Sequence, residues 1–327
     1  MAGVEKLFFR EAIARALREQ MQSNDNVIVL GQDVGRFGGA YKEFAGLYEQ
    51  FGAARVRDTP VAESSMIGIG VGAAAAGMRP VVSITYMDFL MLGLDPLVNY
   101  AAKARFKTGG QITVPVVVKT TAGAKGQGVA HSQCIEAWVM GVPGLKVVAP
   151  STAADAYGLM MSALCEDGPV VFVDHKRLFP TAGEVLLEGG AIAIGKAAIR
   201  RRGTDLTIVT HSYMCRVAES AAEQLAAIGI SCEIVDLRTL APLDLPLLCE
   251  SVTRTQALLT LEEGQVTCGV GAEIAYRVQQ AIGPLRAGRV ARVGALPVPV
   301  SSNPVLEAAT VPDAQRVVEA ARSLLLS

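Results

Sequence analysis

Short β-branched runs alternate along this chain with stretches of helical period. The segments "NVIVLG" (26–31), "RPVVSIT" (79–85), "TVPVVVKT" (113–120), "LKVVAP" (145–150) and "PVVFVD" (169–174) are apolar almost without a break. Strands buried on both faces of a parallel sheet need runs of this kind. Between them the spacing predicts helices over 64–78, about 86–106 and 152–167. Near the start, Phe9, Ile13 and Leu17 fall four apart, with Arg10, Arg15, Arg18 and Glu19 on the other side. "MAGVEKLFFREAIARAL" therefore reads as an amphipathic helix. From 177 to 195 Pro and Gly interrupt any period, and the stretch reads as an interdomain connection. Alternation then resumes, with strands at 205–210, 231–237, 257–263 and 291–296. Helices are predicted at 214–228, from about 270, and over a tail opened by Pro312 and Asp313. The pattern predicts an α/β protein of two domains, 1–190 and 191–327, each a mainly parallel sheet flanked by helices.

Composition adds exclusions. With 327 residues, 51% hydrophobic and 19% charged, the chain can bury two sizeable cores. A net charge of -1 gives no electrostatic footing for nucleic acid or an anionic membrane. The apolar run 66–78 has thirteen residues, short of the roughly 20 that a membrane span needs. The six cysteines are widely spaced and form no CxxC pair. The first residues lack the apolar core of a signal peptide, so the cysteines are expected to be buried, reduced thiols of a cytoplasmic protein.

"GIGVG" (68–72) invites a dinucleotide-binding reading. It lies inside a Gly/Ala-rich helix rather than on a strand-to-helix turn, and no acidic residue follows at the expected spacing. Close packing of another backbone, as at a subunit interface, accounts better for these small residues. Glu63 stands at the entry to the same helix, after Pro60. Such an acid can simply be a first-turn residue favoured by the helix dipole. Walled by Val61, Ala62, Met66 and Ile67, it can also be a carboxyl that holds a proton near neutrality.

His131 lies in a glycine-rich loop, "TTAGAKGQGVAHSQCIEAW", beyond the strand 113–120. Ligand sites of open parallel sheets lie beyond the carboxyl ends of the strands, and His titrates in the useful range, so His131 is a catalytic candidate. Its structural alternative is a helix-entry residue beside Ser132. His175, between Asp174 and Lys176, reads as part of a salt-linked loop, and His211 as a helix cap or partner contact. The three histidines show no metal-ligand spacing. P-loop, GxSxG and HExxH motifs are absent from the sequence.

"DTPVAE" followed by "GVGAAAAGMRPVV", then "DPLVNYAAKARF", "HSQ", "PGLKVVAPSTAADAYGLMMSAL", "DLRTLAPLD" and "LEEGQVTCGVGAEIA" occur in an order that spans nearly the whole chain. In these motifs the sequence resembles the beta subunit of the thiamine-diphosphate-dependent decarboxylase of 2-oxo acid dehydrogenase complexes. The resemblance implies a pyrimidine-binding domain followed by a transketolase-type C-terminal domain. It also implies a heterotetramer of two alpha and two beta chains, working with a lipoyl acyltransferase. Carried over by position, Glu63 would hydrogen-bond a ring nitrogen of the cofactor's aminopyrimidine and supply a proton there. Phe89, in "SITYMDF", would pack on the face of that ring, and His131 would stand near the reacting carbon. A 2-oxo acid would be decarboxylated and its acyl group passed to a lipoyl arm.

Members of this class hold Mg²⁺ and the diphosphate through Gly-Asp-Gly with a downstream Asn. The nearest string here is "EDG" at 166–168. Half the site, with its Mg²⁺, is therefore expected on an alpha subunit. Departures from the family pattern are Gln32 in place of an acid, Ala130 before "HSQ", and Gly141 before "PGLK". An acetoin-cleaving enzyme of the same family is the alternative, on "FVDHKRL" (172–178). More distant alternatives are an NAD-dependent dehydrogenase built on "GIGVG" and a non-catalytic assembly subunit.

Overall fold

A computed structural model of the chain describes residues 3–285 and 289–326. It divides into two compact units: one running to Ala122 and from Trp138 to Ile194, the other comprising Gly123–Ala137 and Gly195 onward.

In the first unit the elements are β1 (Val4–Phe8), α1 (Phe9–Ser23), β2 (Val27–Gly31), α2 (Leu47–Arg55), β3 (Val56–Asp58), α3 (Glu63–Ala75), β4 (Arg79–Ile84), α4 (Ala102–Lys107) and β5 (Val117–Ala122). There follow α5 (Glu136–Met140), β6 (Lys146–Val148), α6 (Ala153–Cys165), β7 (Val170–His175) and β8 (Ala182–Leu186). Six of these strands lie side by side in the order β6-β7-β5-β4-β2-β3, every pair parallel. Every residue of β2, β5 and β7 is buried, as expected for a parallel sheet covered on both faces.

Three local expectations needed revision. Met1 and Ala2 of the N-terminal stretch lie outside the described residues, and Val4–Phe8 form a strand rather than the start of the helix. That strand pairs antiparallel with β8, within the stretch read as a connection. β1 is exposed along nearly its whole length, and β8 alternates in burial but with Val185 as its one buried side chain, so neither spells out an apolar alternation in the sequence. The helix proper begins at Phe9, and Phe9, Ile13 and Leu17 are fully buried as its spacing predicted. The expected helix 86–106 is broken into a 3-10 segment (Met87–Gly93), a π-helical segment (Asp95–Ala101) and α4. Pro96 has no N–H to donate, which interrupts the regular ladder at that point. β5 begins at Val117 and runs to Ala122, not over 113–120. Pro115 cannot donate to a ladder, so strand pairing starts after it.

The second unit continues with β9 (Ala198–Arg201), β10 (Leu206–Thr210), α7 (Met214–Ala226), β11 (Cys232–Asp236), β12 (Thr239–Ala241), α8 (Leu245–Thr255), β13 (Leu258–Gln265), α9 (Val270–Ile282), β14 (Val290–Ala295), α10 (Pro304–Thr310) and α11 (Ala314–Leu326). Its sheet runs β14-β13-β10-β11-β9. All pairs are parallel except β9 on β11 at the edge. On one face, Ala218, Ala221, Ala222 and Leu225 of α7 and Val317 and Ala321 of α11 cover Leu206, Ile208 and Ile234 in a fully buried cluster.

No disulfide joins the six cysteines. Cys215 and Cys232 are buried as expected, whereas Cys165 and Cys268 are exposed. Among the described residues no helix is long and apolar enough to cross a membrane.

Candidate active site

Two of the three sequence candidates lie in the first unit, at the carboxyl edge of its sheet. β2 ends at Gly31, and the chain leaving β3 is fastened to it by the Thr59 N–H, which donates to the Gly31 carbonyl at 3.0 Å. The link to α3 is then short, and Glu63 is the first residue of that helix. Ala62, at the N-cap, has no side chain able to cap the turn. The carboxylate of Glu63 is the negative charge that the helix start favours.

Glu63 is 9% exposed. Met66 and Ile67, one turn on, are buried, while Val61 is 61% exposed, so the apolar wall covers one side of the carboxyl. Among the described residues no side chain or backbone group hydrogen-bonds this carboxylate. Neither oxygen is among the fully enclosed, unpaired polar atoms, so the carboxylate keeps a path to the surface on which a ligand can reach it.

Phe89 follows the end of β4, in the 3-10 segment. Its N–H donates to the Tyr86 carbonyl at 3.0 Å, and the two rings meet edge-on with centroids 6.3 Å apart. The ring is half-buried. α3 packs on this segment. A Cβ at Gly93 would crowd Ile67 Cδ1 and lie 3.3 Å from the Glu63 carbonyl, so the bare glycine backbone lets α3 and this segment approach closely. Glu63 and Phe89 are therefore carried by two elements held together at one end of one sheet. Their chemistry fits the pyrimidine half of thiamine diphosphate: a carboxyl group hydrogen-bonded to no described residue for a ring nitrogen, and a half-buried phenyl for the ring itself.

His131 belongs to the segment 123–137, which groups with the second unit. Its N–H donates to the Gly128 carbonyl at 3.2 Å, and its ring is half-buried. His175 is 2% exposed and lies in β7, where its Nδ1 accepts the Arg177 N–H at 3.1 Å. His211 is 5% exposed, and the N-cap of α7 is Tyr213, so His211 does not cap that helix. Gln32 Nε2 approaches Asp33 Oδ2 at 3.4 Å. Asp33 itself adopts a left-handed backbone, φ 55°. Among the described residues no group of three or more His, Cys, Asp or Glu is arranged to hold a metal ion.

A buried ionic cluster also stands near the carboxyl edge of this sheet and was not singled out from the sequence. Lys119 Nζ, on β5, lies 2.7 Å from Glu43 Oε1 and 3.0 Å from Asp174 Oδ2 on β7. Asp174 is thus salt-linked as expected, but inside the sheet rather than in a loop. The register places Thr121 opposite Asp174, and Lys119 also donates to the Thr121 hydroxyl at 3.2 Å. Burial pushes the Asp174 carboxyl up to about 6, with Lys119 working against it. Burial draws the Lys119 pKa down, but Asp174 and Glu43 outweigh it and the net direction is upward. The cluster fastens the segment before α2 to the sheet, since Glu43 Oε2 also accepts the Tyr41 N–H at 2.9 Å. Its sequence signal is a lone Lys in "VPVVVKT" and an Asp closing "PVVFVD", two charges at the ends of strands that are otherwise apolar.

Comparison with known proteins defines the class first. Residues 5–181 match the pyrimidine-binding domain of transketolase and residues 195–317 the transketolase C-terminal domain. A solved structure described as a split-gene transketolase, an inactive beta4 tetramer, superposes with a TM-score of 0.80 at 26% identity, covering 97% of this chain and 98% of that one. Within that class, the pyruvate dehydrogenase E1 component subunit beta of Rhizobium meliloti (strain 1021) is 43% identical over 99% of this chain and 71% of its own length. The 2-oxoisovalerate dehydrogenase subunit beta of Bacillus subtilis (strain 168) is 42% identical over 83% of each chain. The chain belongs to the family of 2-oxo acid dehydrogenase E1 beta subunits.

Proposed function

We propose that this chain is the beta half of a thiamine-diphosphate-dependent enzyme that oxidatively decarboxylates a 2-oxo acid and passes the acyl group to a lipoyl group. The observation that carries this reading is the Glu63 carboxylate, nine-tenths buried at the start of α3 and hydrogen-bonded to no described residue. When bound, thiamine diphosphate supplies the carbon nucleophile and the electron sink for loss of carbon dioxide. Glu63 holds a proton at the pyrimidine ring nitrogen, and the burial of Met66 and Ile67 keeps water from that side of it. Phe89 packs on the same ring and fixes its plane. His131, from the glycine-rich loop, holds or delivers a proton close to the reacting carbon.

The metal half of the site belongs to an alpha chain that carries Gly-Asp-Gly and, with it, Mg²⁺ and the diphosphate. Two alpha and two beta chains make the working unit, and a lipoyl acyltransferase receives its product. Along α3, Gly70 sits hard against Val82, whereas a methyl at Gly68 or Gly72 would meet nothing within 4 Å. That outward face of small residues suits the backbone of a second beta chain.

The test is turnover of the assembled enzyme with an artificial electron acceptor, offering pyruvate, 3-methyl-2-oxobutanoate and acetoin in turn. Wild type should use at least one of the two 2-oxo acids. Glu63→Gln should lose ~10²–10⁴-fold in kcat, the span of a positioned proton donor. Wild-type turnover in that variant would refute the reading. Turnover of acetoin alone would move the chain to the acetoin-cleaving branch.

A further inference from the structure

The loop that carries His131 lies within the sequence of the first unit but is held by carboxylates of the second. The Ala124 N–H donates to Glu263 Oε1 at 2.6 Å, and the Gly126 N–H donates to Glu307 Oε2 at 2.5 Å. Glu263 sits near the end of β13 and Glu307 on α10, both nearly buried at 9% and 6% exposed. Neighbouring Glu262 is occupied elsewhere: its two oxygens accept the Val270 and Gly271 N–H groups at 2.8 and 2.9 Å, closing the start of α9. Successive side chains of a strand face opposite ways, so one strand end serves the helix with one acid and the loop with the next. Further along, Gly128 has φ +75° and a Cβ there would lie 3.2 Å from Ser302. Gly264 in turn lies against the Cys134 carbonyl. The loop is thus fastened before His131 and braced after it, and His131 is itself bonded back to Gly128.

We propose that Glu263 and Glu307 are positioning residues for the reaction, setting the path of the 123–131 backbone and through it the place of the His131 imidazole. This rests on the reading of His131 given above. Hydrogen bonds from a backbone N–H to a carboxylate are among the strong ones. They also act on the loop at the two amides that precede the glycine turn, where small rotations are magnified at the histidine.

The experiment uses the enzyme assembled with its alpha partner and reads amide hydrogen exchange over 123–130 together with kcat, KM for the 2-oxo acid, and cofactor affinity. Glu263→Ala and Glu307→Ala should each speed exchange in that segment ~10–100-fold, the loss expected for one charge-assisted hydrogen bond. In both, kcat should fall while cofactor affinity stays at the wild-type value. Glu263→Gln keeps an acceptor oxygen and should recover most of both losses. In a His131→Ala background, Glu263→Ala should cost no further kcat, because the two changes act through one group. Unchanged exchange in both alanine variants would overturn the anchor. Wild-type turnover in Glu263→Ala, or an equal kcat loss with and without His131, would overturn the positioning role. Should His131→Ala itself turn over like wild type, the reading of His131 fails and the positioning role with it, while the exchange rates still judge the anchor.

Discussion

Replacing Glu136 by Gln should stabilise the chain, and the gain should grow with pH. Glu136 opens α5 and is 5% exposed. Its pKa is pushed from the usual 4.5 up to about 8, first by burial, then by the charges of Glu263 and Glu262, with its own backbone N–H opposing. The folded chain therefore keeps a proton that the unfolded chain gives up, so stability falls as pH rises from about 4.5 to about 8 and is level on either side. At ~1.4 kcal/mol per pH unit, retaining that proton costs folding ~3 kcal/mol at pH 7 and no more than ~5 kcal/mol above pH 8. A carboxamide mimics the protonated acid and has nothing to lose, so the difference between variant and wild type should rise with that slope. Trp138, two residues further on, is 58% exposed and a weak reporter, so unfolding is followed by far-ultraviolet circular dichroism. Urea titrations at pH 5, 6, 7 and 8 give the four differences directly. A difference that is flat with pH, or one in which Gln becomes worse as pH rises, would show an ionised, paired Glu136 and refute the reasoning.

Other outcomes follow from the same packing. Lys119→Met strands Glu43 and Asp174 without their cation, and should cost ~3–5 kcal/mol in chemical denaturation, whereas a loss under ~1 kcal/mol would mean that the cluster is not closed to water. Gly144→Ala places a methyl against the Ala102 carbonyl at a position with φ +94°, and should lower stability by more than ~2 kcal/mol or block folding. Gly72→Ala, which meets nothing within 4 Å in the single chain and sits inside α3, should raise monomer stability by ~0.5–1 kcal/mol yet weaken beta–beta association, read by analytical ultracentrifugation.

The parallel sheets were legible because buried strands announce themselves as unbroken Val/Ile runs, and β2, β4 and β7 begin within a residue of where the pattern put them. The β1–β8 ribbon was not, because its inward face is marked by a single fully buried side chain, Val185, too little for a period to show. Glu63 and Phe89 could be picked out by motif, and the structure adds what a motif lacks, a carboxylate with no partner of its own. The Lys119–Glu43 pair and the two anchors of the histidine loop join residues 76 to 181 positions apart. Each member seen alone is an ordinary charge. Their pairing exists only after the chain has folded, and no local period encodes it.

The stretch 123–137 belongs with residues that the ribosome has not yet made when it emerges. The first sheet's chain can be threaded early, but its histidine loop must wait for Glu263 and Glu307 before it has anything to hold. A gene cut at the boundary near 194 would therefore yield an N-terminal fragment whose histidine loop lacks both of the carboxylates that hold it.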